Sequence, residues 1–116
     1  MSKRGDKLYL KDVLDSIGKI EEYVKNLSFE DFSSKELVVD AVIRNFEIIG
    51  EASKNISDEL KSTCQDVPWK EMAGMRDKMI HEYFGVDLDI VWKTIKLRLP
   101  ELRIALEKNI SKKQIN

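Results

Sequence analysis

Apolar residues in the first part of the chain recur in steps of three and four: Leu10, Val13, Leu14, Ile17, Ile20, Val24 and Leu27. That spacing lays a single stripe along an amphipathic helix and predicts helix from about Lys7 to Leu27. Asp6 stands where an N-cap is expected. Gly18 falls inside the run at a cost of about 1 kcal/mol against alanine, which close approach of a neighbouring helix would explain. Ser28 to Ser34 then breaks the pattern with small and acidic residues. Ser33, followed three residues on by Glu36, reads as a capping box that opens a second helix running to about Asn55. Its apolar positions are Leu37, Val38, Ala41, Val42, Phe46, Ile48, Ile49 and Ala52, a face broader than one partner helix needs. Alongside runs a polar line of Asp40, Arg44, Glu47 and Glu51. This line reads first as a solvated face with helix-stabilising pairs. The alternative is that Arg44 and its acidic neighbours face a cavity or a subunit partner.

Ser57 to Asp66 is a polar connector with room for a short helix around Glu59 to Cys64. Pro68 marks the start of a third helix that reaches about Tyr83, with Gly85 as its left-handed cap. Asp87 caps a fourth helix, Leu88 to about Leu97, with Val91, Trp92 and Ile95 on one face. Pro100 either kinks that helix or opens a fifth, from Glu101 to about Ile110. Repeats and strand-like alternation are absent. The pattern predicts an all-α, four- to five-helix up-down bundle with short connections. Residues 1–116 are expected to form one domain, with 1–6 and 111–116 frayed.

Composition narrows the picture without redirecting it. The 116 residues are 42% hydrophobic and 35% charged, as a helical protein with long solvated faces would be. A chain of this size can bury a core without disulfides or metal. Net charge is -1, so nucleic-acid binding would have to come from a local patch. Cys64 is the single cysteine and cannot form an internal disulfide. No ligand spacing suggests zinc or another metal, and no cofactor is expected. The N-terminus lacks the apolar run of a signal peptide, and no stretch approaches the ~18 apolar residues of a membrane span. A soluble, cytoplasmic protein is expected.

The chemistry gathers in Met75 to Gly85, which holds the only histidine, His81, with Arg76 five residues earlier and Tyr83 two residues later. Imidazole moves protons near neutral pH. Guanidinium offers a fork of donors shaped for phosphate. Phenol can donate a hydrogen bond, stack on a base or accept a transferred group. Asp77, four residues before His81, is spaced to hydrogen-bond the imidazole and fix its tautomer. On an ideal helix Arg76 and Tyr83 lie nearly in line while His81 sits well around the cylinder. That geometry predicts a helix loosened in its last turn before Gly85. Residue types alone also fit an ordinary surface histidine among ordinary charges. There is no nucleophile elbow, no second histidine and no Gly-rich phosphate loop.

The pattern Arg-x4-His-x-Tyr formed by Arg76, His81 and Tyr83 resembles the signature of the HEPN superfamily. More closely, the chain is similar to the HepT-like toxins that pair with MNT-type minimal nucleotidyltransferase antitoxins. Arg44 to Ala52 looks like the family's second helix, and Val67-Pro68-Trp69 with Gly74-Met75-Arg76 looks like the lead-in to its motif. Tyr83 to Trp92, followed by Leu99-Pro100-Glu101-Leu102, looks like its C-terminal half. The resemblance implies a homodimeric helical bundle and a metal-independent endoribonuclease silenced by its antitoxin. Carried over by position, Arg76 and His81 would be catalytic and Tyr83 supporting or the acceptor of AMP from the antitoxin, while Asp77 is supporting by its spacing to His81. The residue after the arginine is commonly asparagine in the family; here it is Asp77. A negative charge there weakens phosphate binding at Arg76 or orients His81.

RNA can be cut without metal because its own 2′-hydroxyl attacks the adjacent phosphate. His81 suits the proton transfer, worth roughly 10²–10⁴ in rate, and Arg76 the charge developing on phosphorus. One histidine per chain does not readily serve as both base and acid. A two-fold pair of chains would supply the second, with the broad apolar face of the second helix as candidate interface. Two other readings stand beside this one. The first is a catalytically weak HEPN binding module that serves mainly as partner and substrate of the nucleotidyltransferase. The second is a helical adaptor with a chance motif.

Overall fold

The computed structural model describes residues 4–84 and 87–111, and side chains within 5–79 and 87–110. Helix α1 (Arg4–Tyr23) follows its stripe: Leu10, Val13, Ile17 and Ile20 are all buried. It stops short of Leu27, since Asn26 takes a left-handed backbone with φ 65°, a conformation asparagine tolerates and a helix does not.

The stretch read as a break is itself a helix, α2 (Phe29–Ser34). Its capping box is Ser28 with Asp31, not Ser33 with Glu36. The Asp31 N–H donates to Ser28 Oγ at 3.0 Å and the Ser28 N–H to Asp31 Oδ2 at 3.2 Å. Burial of Phe32 drives this turn; its ring lies 5.1 Å from that of Trp92. Lys35 then opens α3 (Glu36–Lys54) with no side-chain cap.

Helix α3 is the central element. Val39, Val42, Ile43, Phe46, Ile49 and Ala52 are buried between several neighbours, so one side of the broad apolar face is used within the chain. The other side keeps Leu37 85% exposed and Val38, Ala41 and Ile48 half-buried.

The connector carries the expected short helix, α4 (Asp58–Thr63), capped by Ser57, whose Oγ accepts from the Leu60 N–H at 3.2 Å. Asp6 belongs to this cap and not to its own helix. It lies buried within the first turn of α1 and accepts from Ser57 N at 2.8 Å and Ser57 Oγ at 2.6 Å. The helix expected from Pro68 to Tyr83 is two, α5 (Trp69–Ala73) and α6 (Met75–Phe84), parted at Gly74. Trp69 Nε1–H donates to the Cys64 carbonyl at 2.9 Å, and burial pushes the Cys64 thiol above its ordinary range.

Asp87 caps α7 (Leu88–Lys93) as expected, accepting from the Ile90 N–H at 3.3 Å. Helix then continues through a π turn, Thr94–Arg98, into α8 (Leu99–Ser111). Pro100 neither ends the helix nor begins a separate one. Proline lacks an N–H, and its ring presses on the carbonyl four residues back. The widened turn, in which the Leu99 N–H reaches back to the Thr94 carbonyl, absorbs both problems.

The chain thus makes an all-α bundle of four long helical runs, α1, α3, α5–α6 and α7–α8, with α2 and α4 as connectors. Two arginines tie the runs together. Arg98 binds Glu71 on α5, and Arg103 on α8 binds Glu21 on α1. Among the described residues there is no strand, and no helix is long and apolar enough to cross a membrane.

Candidate active site

Arg76 stands in the first turn of α6, and Gly50 of α3 puts it there. A Cβ at residue 50 would lie 2.9 Å from Arg76 N, 3.1 Å from Arg76 Cβ and 3.3 Å from the Ala73 carbonyl oxygen. Only glycine permits that approach. The Gly74 break falls where the two backbones meet, so the turn between α5 and α6 rests on α3. Glu51 follows Gly50 and its Oε1 lies 3.6 Å from Arg76 Nε. On the other side Asp77 Oδ1 lies 3.5 Å from Arg76 Nη1. Neither contact has the length of a good charge-assisted hydrogen bond. The Arg76 side chain is 43% exposed. Its guanidinium is therefore tethered by two carboxylates and open to a third anion.

His81 and Tyr83 lie on α6, whose backbone stays helical through Phe84, so the loosened last turn is not found. In an unbroken helix positions 76 and 83 fall within about 20° of one line, and position 81 falls about 140° around. The side chains of both residues lie outside those described, as do the Asp77–His81 hydrogen bond and the Gly85 cap. The described structure thus brings Arg76, Asp77 and Glu51 together.

Glu51 was not recognised from sequence as the partner of Arg76. A signal existed in Gly50, since glycine in the middle of a long helix costs stability and is one mark of a close approach, though Gly18 in α1 shows it is not a sufficient one. Both readings of the α3 polar line find a counterpart: Asp40, Arg44 and Glu51 are exposed and Glu51 pairs with Lys54 three residues on, while the line also borders a groove. A groove of about 310 Å³ runs between α1 and α3, lined by Tyr9, Asp12, Arg44, Glu47, Ile48 and Glu51 among others. Asp40, the remaining member of the line, is exposed on α3. Among the described residues no three His, Cys, Asp or Glu converge as a metal site would require.

Residues 13–109 match the family model described as "Ribonuclease HepT-like". The chain is 50% identical over 106 residues to the "Probable ribonuclease HepT" of Thermococcus cleftensis, covering 91% of this chain and 96% of that one. It is 45% identical over 106 residues to a "Putative RNase" of Caldanaerobacter subterraneus subsp. tengcongensis, covering 91% and 95%. A "Putative RNase" of Methanocaldococcus jannaschii is 43% identical over 110 residues, covering 95% and 91%. No solved structure matches the chain significantly. With nearly the whole chain matched, it belongs to the HepT-like ribonuclease family of the HEPN superfamily.

Proposed function

We propose that the chain is the toxin of a type II toxin–antitoxin pair, an endoribonuclease that cuts RNA without metal. The observation that supports this most is the half-exposed, loosely tethered Arg76 in the first turn of α6. Its guanidinium takes the non-bridging oxygens of the scissile phosphate and stabilises the charge that develops there. The 2′-hydroxyl of the preceding nucleotide is the nucleophile. It loses its proton, attacks phosphorus and displaces the 5′-oxygen of the next nucleotide, leaving a 2′,3′-cyclic phosphate. His81 transfers the protons. Each chain has one histidine, so a homodimer supplies base and acid from two copies. An MNT-type nucleotidyltransferase antitoxin silences the toxin by adding AMP to Tyr83, which blocks the approach of RNA to Arg76.

The test is cleavage of single-stranded RNA in excess chelator. Wild-type protein should cut, while Arg76→Ala and His81→Ala each lose about 10²-fold or more with helicity unchanged. Full activity in either variant rejects that residue's role, and loss of wild-type cleavage on chelation rejects the metal-free mechanism. A second reading draws on Asp77, whose carboxylate stands 3.5 Å from the same guanidinium and competes with phosphate. On that reading the chain is a catalytically weak HEPN module, chiefly partner and substrate of the nucleotidyltransferase. Asp77→Asn separates the two: a large rise in cleavage favours the weak module, and an unchanged rate favours the nuclease.

A further inference from the structure

We infer that the groove between α1 and α3 is a base-binding subsite, selective for guanine, for a nucleotide adjoining the phosphate at Arg76. The inference rests on the ribonuclease reading above. The groove and the candidate active site share a residue: Glu51 lines the groove and its Oε1 lies 3.6 Å from Arg76 Nε. A nucleotide whose phosphate meets Arg76 therefore has its base within reach of the groove.

The volume, about 310 Å³, is at the small end of the range for ligand pockets and suits a single base. Ile48 and Ala52 supply apolar surface, and the half-buried Tyr9 supplies an aromatic one. Proteins read single-stranded RNA by stacking splayed bases on aromatic side chains and hydrogen-bonding their edges. Arg44 and Glu47 make no ion pair or side-chain hydrogen bond among the described residues, so both are available to a ligand.

The charge of the groove decides which part of RNA enters. Asp12, Glu47 and Glu51 bring three carboxylates against the one guanidinium of Arg44. That balance disfavours phosphate inside the groove, whereas a neutral base is not repelled. Carboxylates only accept hydrogen bonds. Guanine alone among the four bases presents two adjacent donors, N1–H and N2–H, to a single carboxylate. Its neighbouring edge offers O6 and N7, the pair an arginine reads best. Arg44 and Glu47 are three apart on α3, so their Cβ atoms are about 5–6 Å apart, a span matched by the two edges of one purine. Adenine and cytosine set an acceptor beside their donor, against the carboxylate, and uracil offers one donor between two acceptors.

Two measurements test this. The first titrates the full chain with guanosine 5′-monophosphate and, separately, adenosine 5′-monophosphate, followed by calorimetry. Guanosine monophosphate should bind about tenfold tighter, and Arg44→Ala and Glu47→Gln should each erase most of the difference. The second compares kcat/KM for short single-stranded RNAs that differ by one guanine-to-adenine exchange. The ratio should favour guanine and collapse toward one in the same variants. Equal binding of the two nucleotides, or a preference that survives both variants, overturns the inference. So does a groove whose variants disturb only the binding of a protein partner. If the wild type cuts no RNA, the ribonuclease reading fails, and the nucleotide titration still decides the groove.

Discussion

Arg76 and Arg98 are each flanked by two carboxylates, and the difference between them separates an arginine used for construction from one kept for chemistry. Arg98 donates from Nε to Glu71 Oε2 at 2.8 Å, from Nη2 to Glu71 Oε1 and from Nη1 to Glu101 at 2.9 Å. Its fork is full. The hydrogen bonds hold the Glu71 carboxyl below the usual carboxylate range and push the Arg98 guanidinium above its own. Around Arg76 the nearest carboxylate oxygens stand at 3.5 and 3.6 Å and the fork is open. A guanidinium whose three nitrogens are all pinned must break a strong bond to turn towards phosphate, while a tethered one can trade a weak contact for a strong one. In sequence the two look alike, for each has an acidic residue close by, Asp77 after Arg76 and Glu101 after Arg98.

The sharpest way to break this distinction is to truncate both. Arg76→Ala should cost RNA cleavage about 10²-fold or more and leave thermal stability within ~0.5 kcal/mol. Arg98→Ala should do the reverse, losing about 1–2 kcal/mol, or several degrees of Tm, with turnover per folded molecule retained. Loss of activity without loss of stability at Arg98 would erase the contrast.

Gly50→Ala should show how far the placement of Arg76 depends on backbone approach. Its Cβ would sit 2.9 Å from Arg76 N, so α3 and α6 must separate, costing about 1–3 kcal/mol. Cleavage should fall in the same variant by up to about 10²-fold, because the displaced group is the phosphate ligand. Gly18→Ala is the control. There the nearest atom is Arg103 Nη2 at 3.7 Å, ordinary contact distance, so the close approach expected from sequence is not what retains this glycine.

The pH dependence of the full fork gives a smaller effect. Glu71 has a lowered pKa in the folded chain, so its pairing stabilises above the unfolded carboxylate value near 4.5 and is lost as pH falls through the folded value. The stability difference between wild type and Glu71→Gln, from denaturant melts, should be constant above about pH 5.5 and shrink below about 4.5. The smallest change belongs to Gly18→Ala, a gain of about 0.5–1 kcal/mol with unchanged cleavage.

What was legible in the sequence is what depends on neighbours three or four residues apart. The stripe of α1, the buried Val42, Phe46 and Ile49 of α3, the short helix of the connector and the Asp87 cap fall where spacing puts them, whereas Leu37 is exposed and the pattern misses the buried Val39 and Ile43. What was not legible depends on residues distant along the chain. Asp6 looked like a cap for α1 because the strand of sequence before a helix is where caps lie, yet its partner Ser57 is 51 residues away. Ser33 and Glu36 had the spacing of a capping box, but burial of Phe32 takes Ser33 into a separate helix, α2, and α3 starts at Glu36 with no side-chain cap. The Arg76, His81 and Tyr83 motif was visible as chemistry, while the carboxylate that tethers Arg76 comes from another helix and required the fold.

The π turn ahead of Pro100 has a consequence for the geometry of the last helical run. Val91, Ile95 and Leu99 are buried at two successive intervals of four. In a regular helix of 3.6 residues per turn such a ladder would drift about 80° away from the core. The wide turn takes up the surplus, with Leu97 on its outer side, 62% exposed. A proline that would ordinarily interrupt a helix here keeps its two halves facing the same side.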